Sequence, residues 1–326
     1  MTKRKYPKPK EVDGRFICTL CGKDYGHYTS YCDHYREKHY NQKSPLKKTK
    51  EYTGTKKKAK DYIKENYGIS EKELERILIA KRRKEAKTIN LKIGKTYKFA
   101  AIGDTHLCSN HEMLDELKTF YEICKKEGIT DVYHCGDIVA GQKIFRGQEH
   151  QVHTFGAENQ VDYFVKNYPK VDGITTHFIT GNHDYIYYKI AGVDIGHMIE
   201  ERREDMVYLG PFQADVMWKG IKLIRLMHPD GGLSYARSYK LQKIIEQIPS
   251  GEKPRILLAG HYHVSIFMDY RNILSYLVGA FEGQSPYLLR KGISPVIGGW
   301  IIKVKMAEDD KDSIVSANSN FIKLKH

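Results

Sequence analysis

The 326-residue chain is 40% hydrophobic and 29% charged, proportions of a folded, water-soluble protein that exclude a disordered or fibrous one, and its length calls for a smaller domain beside the main one. Its net charge of +14 sits almost wholly in residues 1–90, which hold 25 Lys and Arg against 12 Asp and Glu, whereas the other 236 residues are nearly balanced at 29 against 28. No apolar run approaches the ~20 residues of a membrane span, and the basic start MTKRKYPKPK is not followed by the apolar stretch of a secretory signal.

An intracellular protein, cytoplasmic or in the nucleoid or nucleus, is therefore expected, with no membrane partner. A concentrated positive field attracts polyanions, nucleic acid first, although acidic proteins and anionic lipid heads answer to the same field.

In chain order, the first feature is a cysteine and histidine cluster. Of six cysteines, only Cys18 and Cys21 have the Cys-x2-Cys spacing, which suits a metal site in a reducing compartment better than a disulfide framework. The run Phe16-x-Cys18-x2-Cys21-x3-Tyr25-x5-Tyr31-x2-His34-x4-His39 resembles the C2H2 zinc finger, including its three apolar positions. That resemblance implies a small ββα unit over residues 1–45, with Cys18, Cys21, His34 and His39 closing a tetrahedral site around one structural Zn2+. By similarity to fingers that read DNA, His27, Ser30 and Asp33 would face a groove, with about three base pairs of contact. Protein docking and a purely structural role are the alternatives; the surrounding Lys and Arg favour nucleic acid, because phosphate contacts supply affinity without sequence information.

Residues 46–92 form a Lys-rich stretch with helical patterning. Ser70 and Glu73 have capping-box spacing for a second helix, Leu74, Ile77 and Leu78 fall along one side, and the helix ends in Lys81, Arg82, Arg83 and Lys84. It reads either as a helical hairpin that contacts DNA through those four cations or as a plain basic linker.

Residues 93–326 show apolar strands at TYKFAAIG, TDVYHCG, ITTHFITG, KLIRLMH and RILLAGH, with helical patterns at 113–127 and 158–167 between some of them. Such alternation predicts an α/β domain whose first two or three strands are parallel. Past His263 the chain reads as further strands without helices, a mixed or antiparallel second sheet.

The chemistry-bearing residues stand where the strands stop: Gly103-Asp104-Thr105-His106, Gly136-Asp137, Gly181-Asn182-His183-Asp184, His228, and Gly260-His261-Tyr262-His263. Carboxylates, an amide oxygen and imidazoles without thiolates suit hard-to-borderline divalent cations. The carboxyl ends of parallel strands face one crevice, so these side chains should converge. Two cations held together clamp both oxygens of an in-line phosphoryl displacement and activate a hydroxide near neutral pH. Lys143, Arg146, His150 and His153, in the loop 139–156, offer further contacts to a substrate phosphate.

This ordered set resembles the calcineurin-like metallophosphoesterase superfamily over residues 97–304. The resemblance implies two packed mixed sheets flanked by helices. It also implies Asp104, His106 and His263 on one metal, Asp137 bridging, Asn182, His228 and His261 on the second, and His183 beside the leaving-group oxygen as general acid or charge stabiliser. Mn2+ is the first expectation, with Fe2+, Zn2+ and Ni2+ as alternatives. The serine/threonine phosphatases of the superfamily carry an Asp and an Arg after the second motif and a Glu ending the third. Here the chain reads Gly136-Asp137-Ile138-Val139-Ala140-Gly141 and ends the third motif in Asp184, which argues against a phosphoprotein phosphatase and leaves His183 without its orienting carboxylate.

The superfamily includes nucleases of DNA repair, so a metal-dependent phosphodiesterase acting on DNA or RNA is expected, its basic N-terminus holding the polymer. The alternatives are a phosphomonoesterase with a docking finger and a catalytically vestigial nucleic-acid-binding protein.

Overall fold

The computed structural model describes residues 9–35, 38, 70, 87–307 and 314–325. His39, the helical hairpin and its cations Lys81, Arg82, Arg83 and Lys84 lie outside the described residues. The chain divides into two units, Met1–Arg76 and Ile77–His326, and each is taken by itself.

In the first unit, β1 (Lys10–Val12) and β2 (Arg15–Ile17) form an antiparallel hairpin, β3 (Asp24–Tyr25) pairs with β2, and helix α1 (Tyr28–Tyr35) follows. Its core is small: Tyr31 and Cys18 are buried, Phe16 packs edge-on against Tyr28, and Tyr25 stacks on His34. So little apolar area holds a fold only weakly, which is where a metal cross-link contributes most.

In the second unit, four strands lie parallel: β5 (Thr96–Ile102), β6 (Asp131–Cys135), β7 (Thr175–Thr180) and β8 (Met206–Pro211). The strands β14 (Gly298–Met306) and β15 (Ile314–Lys323) extend that sheet antiparallel to β5, in the order β15-β14-β5-β6-β7-β8. The second six-stranded sheet runs β12-β13-β11-β10-β9-β4, from β4 (Ile89–Leu91), β9 (Gln213–Trp218), β10 (Ile221–Met227), β11 (Ile256–Ala259), β12 (Ser265–Tyr270) and β13 (Ile273–Val278). Both sheets are mixed, as expected. The strands after His263 do not form a sheet of their own, however: β12 and β13 join one sheet and β14 and β15 the other, with a short helix, Pro286–Arg290, between them.

The sheets face each other across a core of Phe99, Tyr133, Ile179, Leu223, Leu258, Tyr276 and Ile302. The outer face of the first sheet is covered by α2 (Leu114–Lys126), α3 (Ala157–Asn167), α4 (Asn182–Ala191) and α5 (Ile195–Arg202), through Leu117, Phe120, Val161, Phe164 and Ile199 among others. Helix α6 (Tyr239–Gln247) covers the outer face of the second sheet with Leu241 and Ile245. The short helix Pro286–Arg290 is α7. Among the described residues no helix is long and apolar enough to cross a membrane.

Candidate metal centre

Five strand exits meet at one edge of the two sheets. After β5 and β6 the backbones run side by side, with Asp104 N–H donating to Gly136 O, His106 N–H to Asp137 O and Leu107 N–H to Ile138 O. Asp104, His106, Asp137, His261 and His263 all adopt positive φ, between 42° and 76°. Non-glycine residues pay of order 1–3 kcal/mol each for sparsely populated backbone like this, so the surrounding packing holds them there against strain. The flanking glycines serve by close approach. A Cβ on Gly181 would lie 2.3 Å from Asp137 Oδ1, and one on Gly260 2.6 Å from Cys135 O.

The structure brings all seven expected ligands together. Asp104, His106 and His263 form one group and Asp137, His228 and His261 a second, each with donor atoms within 4.8 Å of one another. Asp137 Oδ2 lies 3.1 Å from His228 Nε2 and 3.7 Å from His106 Nε2, between the two groups. Asn182, the first residue of α4, places Oδ1 3.1 Å from His228 Nε2.

The imidazole geometry tests whether cations fit. His228 Nδ1 lies 2.8 Å from Cys135 O, and His261 Nε2 2.9 Å from Gly231 O. A carbonyl only accepts, so both of those nitrogens carry hydrogen. The other nitrogens, His228 Nε2 and His261 Nδ1, then face each other 3.2 Å apart with lone pairs opposed when both rings are neutral. A proton on His228 Nε2 or a shared metal cation resolves that repulsion, and backbone-pinned imidazoles beside buried carboxylates are the arrangement expected of metal ligands. In the first group His106 Nε2 and His263 Nε2 also lie 3.2 Å apart, and the Nδ1 atoms of both rings are buried without a hydrogen-bond partner.

The electrostatics point the same way. Burial raises the Asp104 carboxyl well above the carboxylate range, helped by Asp137 and opposed by His228. Burial also works against charge on Asp137, but His228 and His183 outweigh it and hold that carboxyl low. His228, disfavoured as a cation by burial, is pushed up to about 9 by Asp137 and then Asp104. Burial lowers His106 well below its usual value, His261 to about 4 and His263 to about 3. Neutral His106, His261 and His263 beside ionised Asp137 are donors ready for divalent ions, whereas His228 must first give up the proton that Asp137 holds on it.

His183 forms a third group with His106 and Asp137, its donor atom within 4.8 Å of theirs, but its own hydrogen bonds differ from those of the other imidazoles. Its backbone N–H donates to Asp137 Oδ1 at 2.8 Å and its Nδ1–H to Ala140 O at 2.7 Å, while its ring meets His106 edge-on at 4.4 Å. A backbone carbonyl thus orients the ring in place of the missing carboxylate. Nε2 is left on the cavity side of a ring that lines about 440 Å³ of space with Asp137, Asn182 and His261.

Three further groups support these ligands. Asp184 accepts from the backbone N–H groups of Ile138, Val139 and Gly181 at 2.8 to 3.1 Å, tying the Asp137 loop to the start of α4. His134 accepts from Gly136 N–H at Nδ1 and donates from Nε2 to Thr105 Oγ1, whose hydroxyl is given to Ile138 O. Glu282, buried after β13, puts Oε2 3.9 Å from both His106 Nε2 and His263 Nδ1 and accepts from Ser109 Oγ at 2.8 Å. Burial raises its carboxyl to about 7. A single Glu without glycine or a partner motif offers nothing for sequence reading to find.

The loop 139–156 does border the cavity, but through Ile144, Phe145, Gln148 and Gln151; Lys143, His150 and His153 are not among the lining residues, and Arg146 lines a neighbouring depression. In the first unit Cys18, Cys21 and His34 form a separate candidate group, with Cys21 Sγ 3.2 Å from His34 Nε2. His27, Ser30 and Asp33 are all exposed, with Ser30 and Asp33 on α1.

Two mixed sheets carrying paired His/Asp clusters at their strand ends, with a shared aspartate between, define a metal-dependent phosphoesterase. The chain belongs to the calcineurin-like phosphoesterase superfamily, whose domain profile matches residues 97–288. A solved archaeal phosphodiesterase is similar at 16% identity, covering 69% of this chain and 100% of its own, with a TM-score of 0.39. Zinc-bound Vps29 of Entamoeba histolytica is similar at 14% identity over 70% of this chain and 99% of its own, with a TM-score of 0.33. A predicted phosphoesterase of Streptococcus pneumoniae is similar at 13% identity over 71% and 100%, also at 0.33. A search of curated protein sequences found no match.

Proposed function

We propose that the chain is a phosphodiesterase that cleaves DNA or RNA, with its N-terminal region holding the polymer. The observation that carries the chemistry is Asp137 standing between the buried His106 and His263 beside Asp104 and the backbone-pinned His228 and His261. Asp104, His106 and His263 would hold one divalent cation and Asn182, His228 and His261 the other, with Asp137 on both. Mn2+ is proposed first, since mixed oxygen and nitrogen donors accept several ions. Such a pair, when bound, supplies Lewis acidity and activates water toward phosphorus.

The chain's own residues do the rest. Ala140 O fixes Nδ1–H of His183, so Nε2 is the atom that holds or gives a proton at the leaving oxygen. Asp184 and His134 keep the loops bearing Asp104, Asp137 and Asn182 from drifting. The polymer reading is supported by the 25 basic against 12 acidic residues of positions 1–90. It is supported further by the Cys18, Cys21 and His34 group, which with His39 would complete a zinc finger.

The test is hydrolysis by full-length protein with Mn2+ of bis-p-nitrophenyl phosphate, p-nitrophenyl phosphate, and labelled DNA and RNA, beside Asp137→Asn. Diester preference and polymer cleavage that Asp137→Asn abolishes are expected. Preference for the monoester with intact polymers would replace this reading by a phosphomonoesterase.

A further inference from the structure

The cavity that holds the metal groups is also lined by Phe145, from the loop 139–156, and Tyr287, from α7. Their rings are parallel within 15° with centroids 4.1 Å apart, and Lys291 Nζ stands 5.7 Å from the Tyr287 ring centre. The same two rings wall a second depression of about 340 Å³, completed by Arg146, Arg290 and Lys291. All three cations are exposed, and none is ion-paired among the described residues. The aromatic pair thus borders both the metal-bearing cavity, which Lys291 also lines, and a depression with three uncompensated positive charges and no carboxylate in its lining.

We propose that this rim is a single-strand subsite: the stacked Phe145–Tyr287 pair offers its outer face to an unpaired base next to the scissile phosphodiester, and Arg146, Arg290 and Lys291 meet the neighbouring backbone phosphates. The inference rests on the polynucleotide reading and narrows it to strands whose bases are free. Aromatic faces with flanking cations bind single strands without sequence preference, because every base has a π-face and every nucleotide a phosphate. Paired bases keep their faces inside the duplex and offer the rings nothing. An acidic protein would use the cations but leave the flat ring pair without purpose.

The test uses full-length protein with Mn2+, a labelled oligonucleotide as single strand and as duplex, and bis-p-nitrophenyl phosphate. The variants are Phe145→Leu, which keeps apolar bulk, and the combined Arg146→Gln, Arg290→Gln and Lys291→Gln. Parent protein should prefer the single strand. Phe145→Leu should raise KM for it roughly 5- to 150-fold, the usual weight of one stacked base. The triple variant should flatten the plot of log KM against log salt by about 2 units, from ~0.7 per phosphate contact. Dividing each kcat/KM by the same variant's value for bis-p-nitrophenyl phosphate removes any damage at the metal centre. Parent-like ratios and salt slopes in both variants, or better cleavage of duplex than of single strand, overturn the subsite while leaving the nuclease reading in place. Parent protein that hydrolyses the small diester but no polynucleotide overturns both.

Discussion

Replacing Gly181 by alanine isolates how far the metal centre depends on close backbone approach. Gly181 has φ −102° and ψ −165°, an extended conformation that alanine adopts without strain, so the whole effect is steric. Its new Cβ would stand 2.3 Å from Asp137 Oδ1, 2.7 Å from Asp137 N and 2.7 Å from His228 Cε1. Carbon contacts settle near 3.5 Å, so the proposed bridging carboxylate and a facing imidazole must each retreat by about 1 Å. Overpacking of this kind costs about 1–3 kcal/mol of stability, and a misplacement near 1 Å costs about 100-fold in rate. Metal content by plasma mass spectrometry, thermal melting and hydrolysis of bis-p-nitrophenyl phosphate give the readouts. The control is Gly94→Ala, where nothing lies within 4 Å of the added atom. A Gly181→Ala protein with parental metal content, melting temperature and kcat/KM would refute the reasoning.

Three further outcomes are expected. Asp184→Asn leaves the Gly181 N–H facing an amide NH2 instead of a carboxylate, and should lower unfolding free energy in denaturant by about 2–4 kcal/mol and weaken metal binding in titration calorimetry. His183→Asn should lower kcat by about 100- to 10,000-fold with metal content unchanged, since the ring is tied to Ala140 O and serves the leaving group; loss of an ion instead would make His183 a ligand. Burial lowers His134 to about 3; the unfolded chain takes up its proton near pH 6.5 while the folded one refuses it, so stability falls as pH drops from about 6.5 toward 3, by about 1.4 kcal/mol per unit from this one group. Urea unfolding of metal-free parent and His134→Gln across that range should show the stability gap between them shrinking on acidification, and a constant gap would contradict the assignment.

Much of the centre was legible because each ligand follows an apolar run and a glycine, a local signature that survives without knowledge of the fold. His228 is the exception. It has only its strand to mark it, yet its Nε2 lies 3.1 Å from both Asp137 Oδ2 and Asn182 Oδ1. The support around these ligands was not legible. Asp184 read as the last letter of a motif, and its three backbone donors come from two different loops. His134 stands inside β6 with no motif to mark it. Glu282 and the Phe145–Tyr287 wall carry no motif at all.

The chain's periodicity, glycine spacing and residue chemistry were enough to determine the α/β class and the parallel run β5 to β7, and the family resemblance of its motifs pointed to the seven residues that gather at the centre, because those signals are written within a few neighbouring positions. Only the tertiary structure decided that β14 and β15 close the first sheet beside β5, that a carbonyl rather than a carboxylate orients His183, and that Glu282 and the aromatic wall border the site. Those outcomes depend on contacts between segments more than 40 residues apart, whose pairing is settled by packing and closure of the whole core.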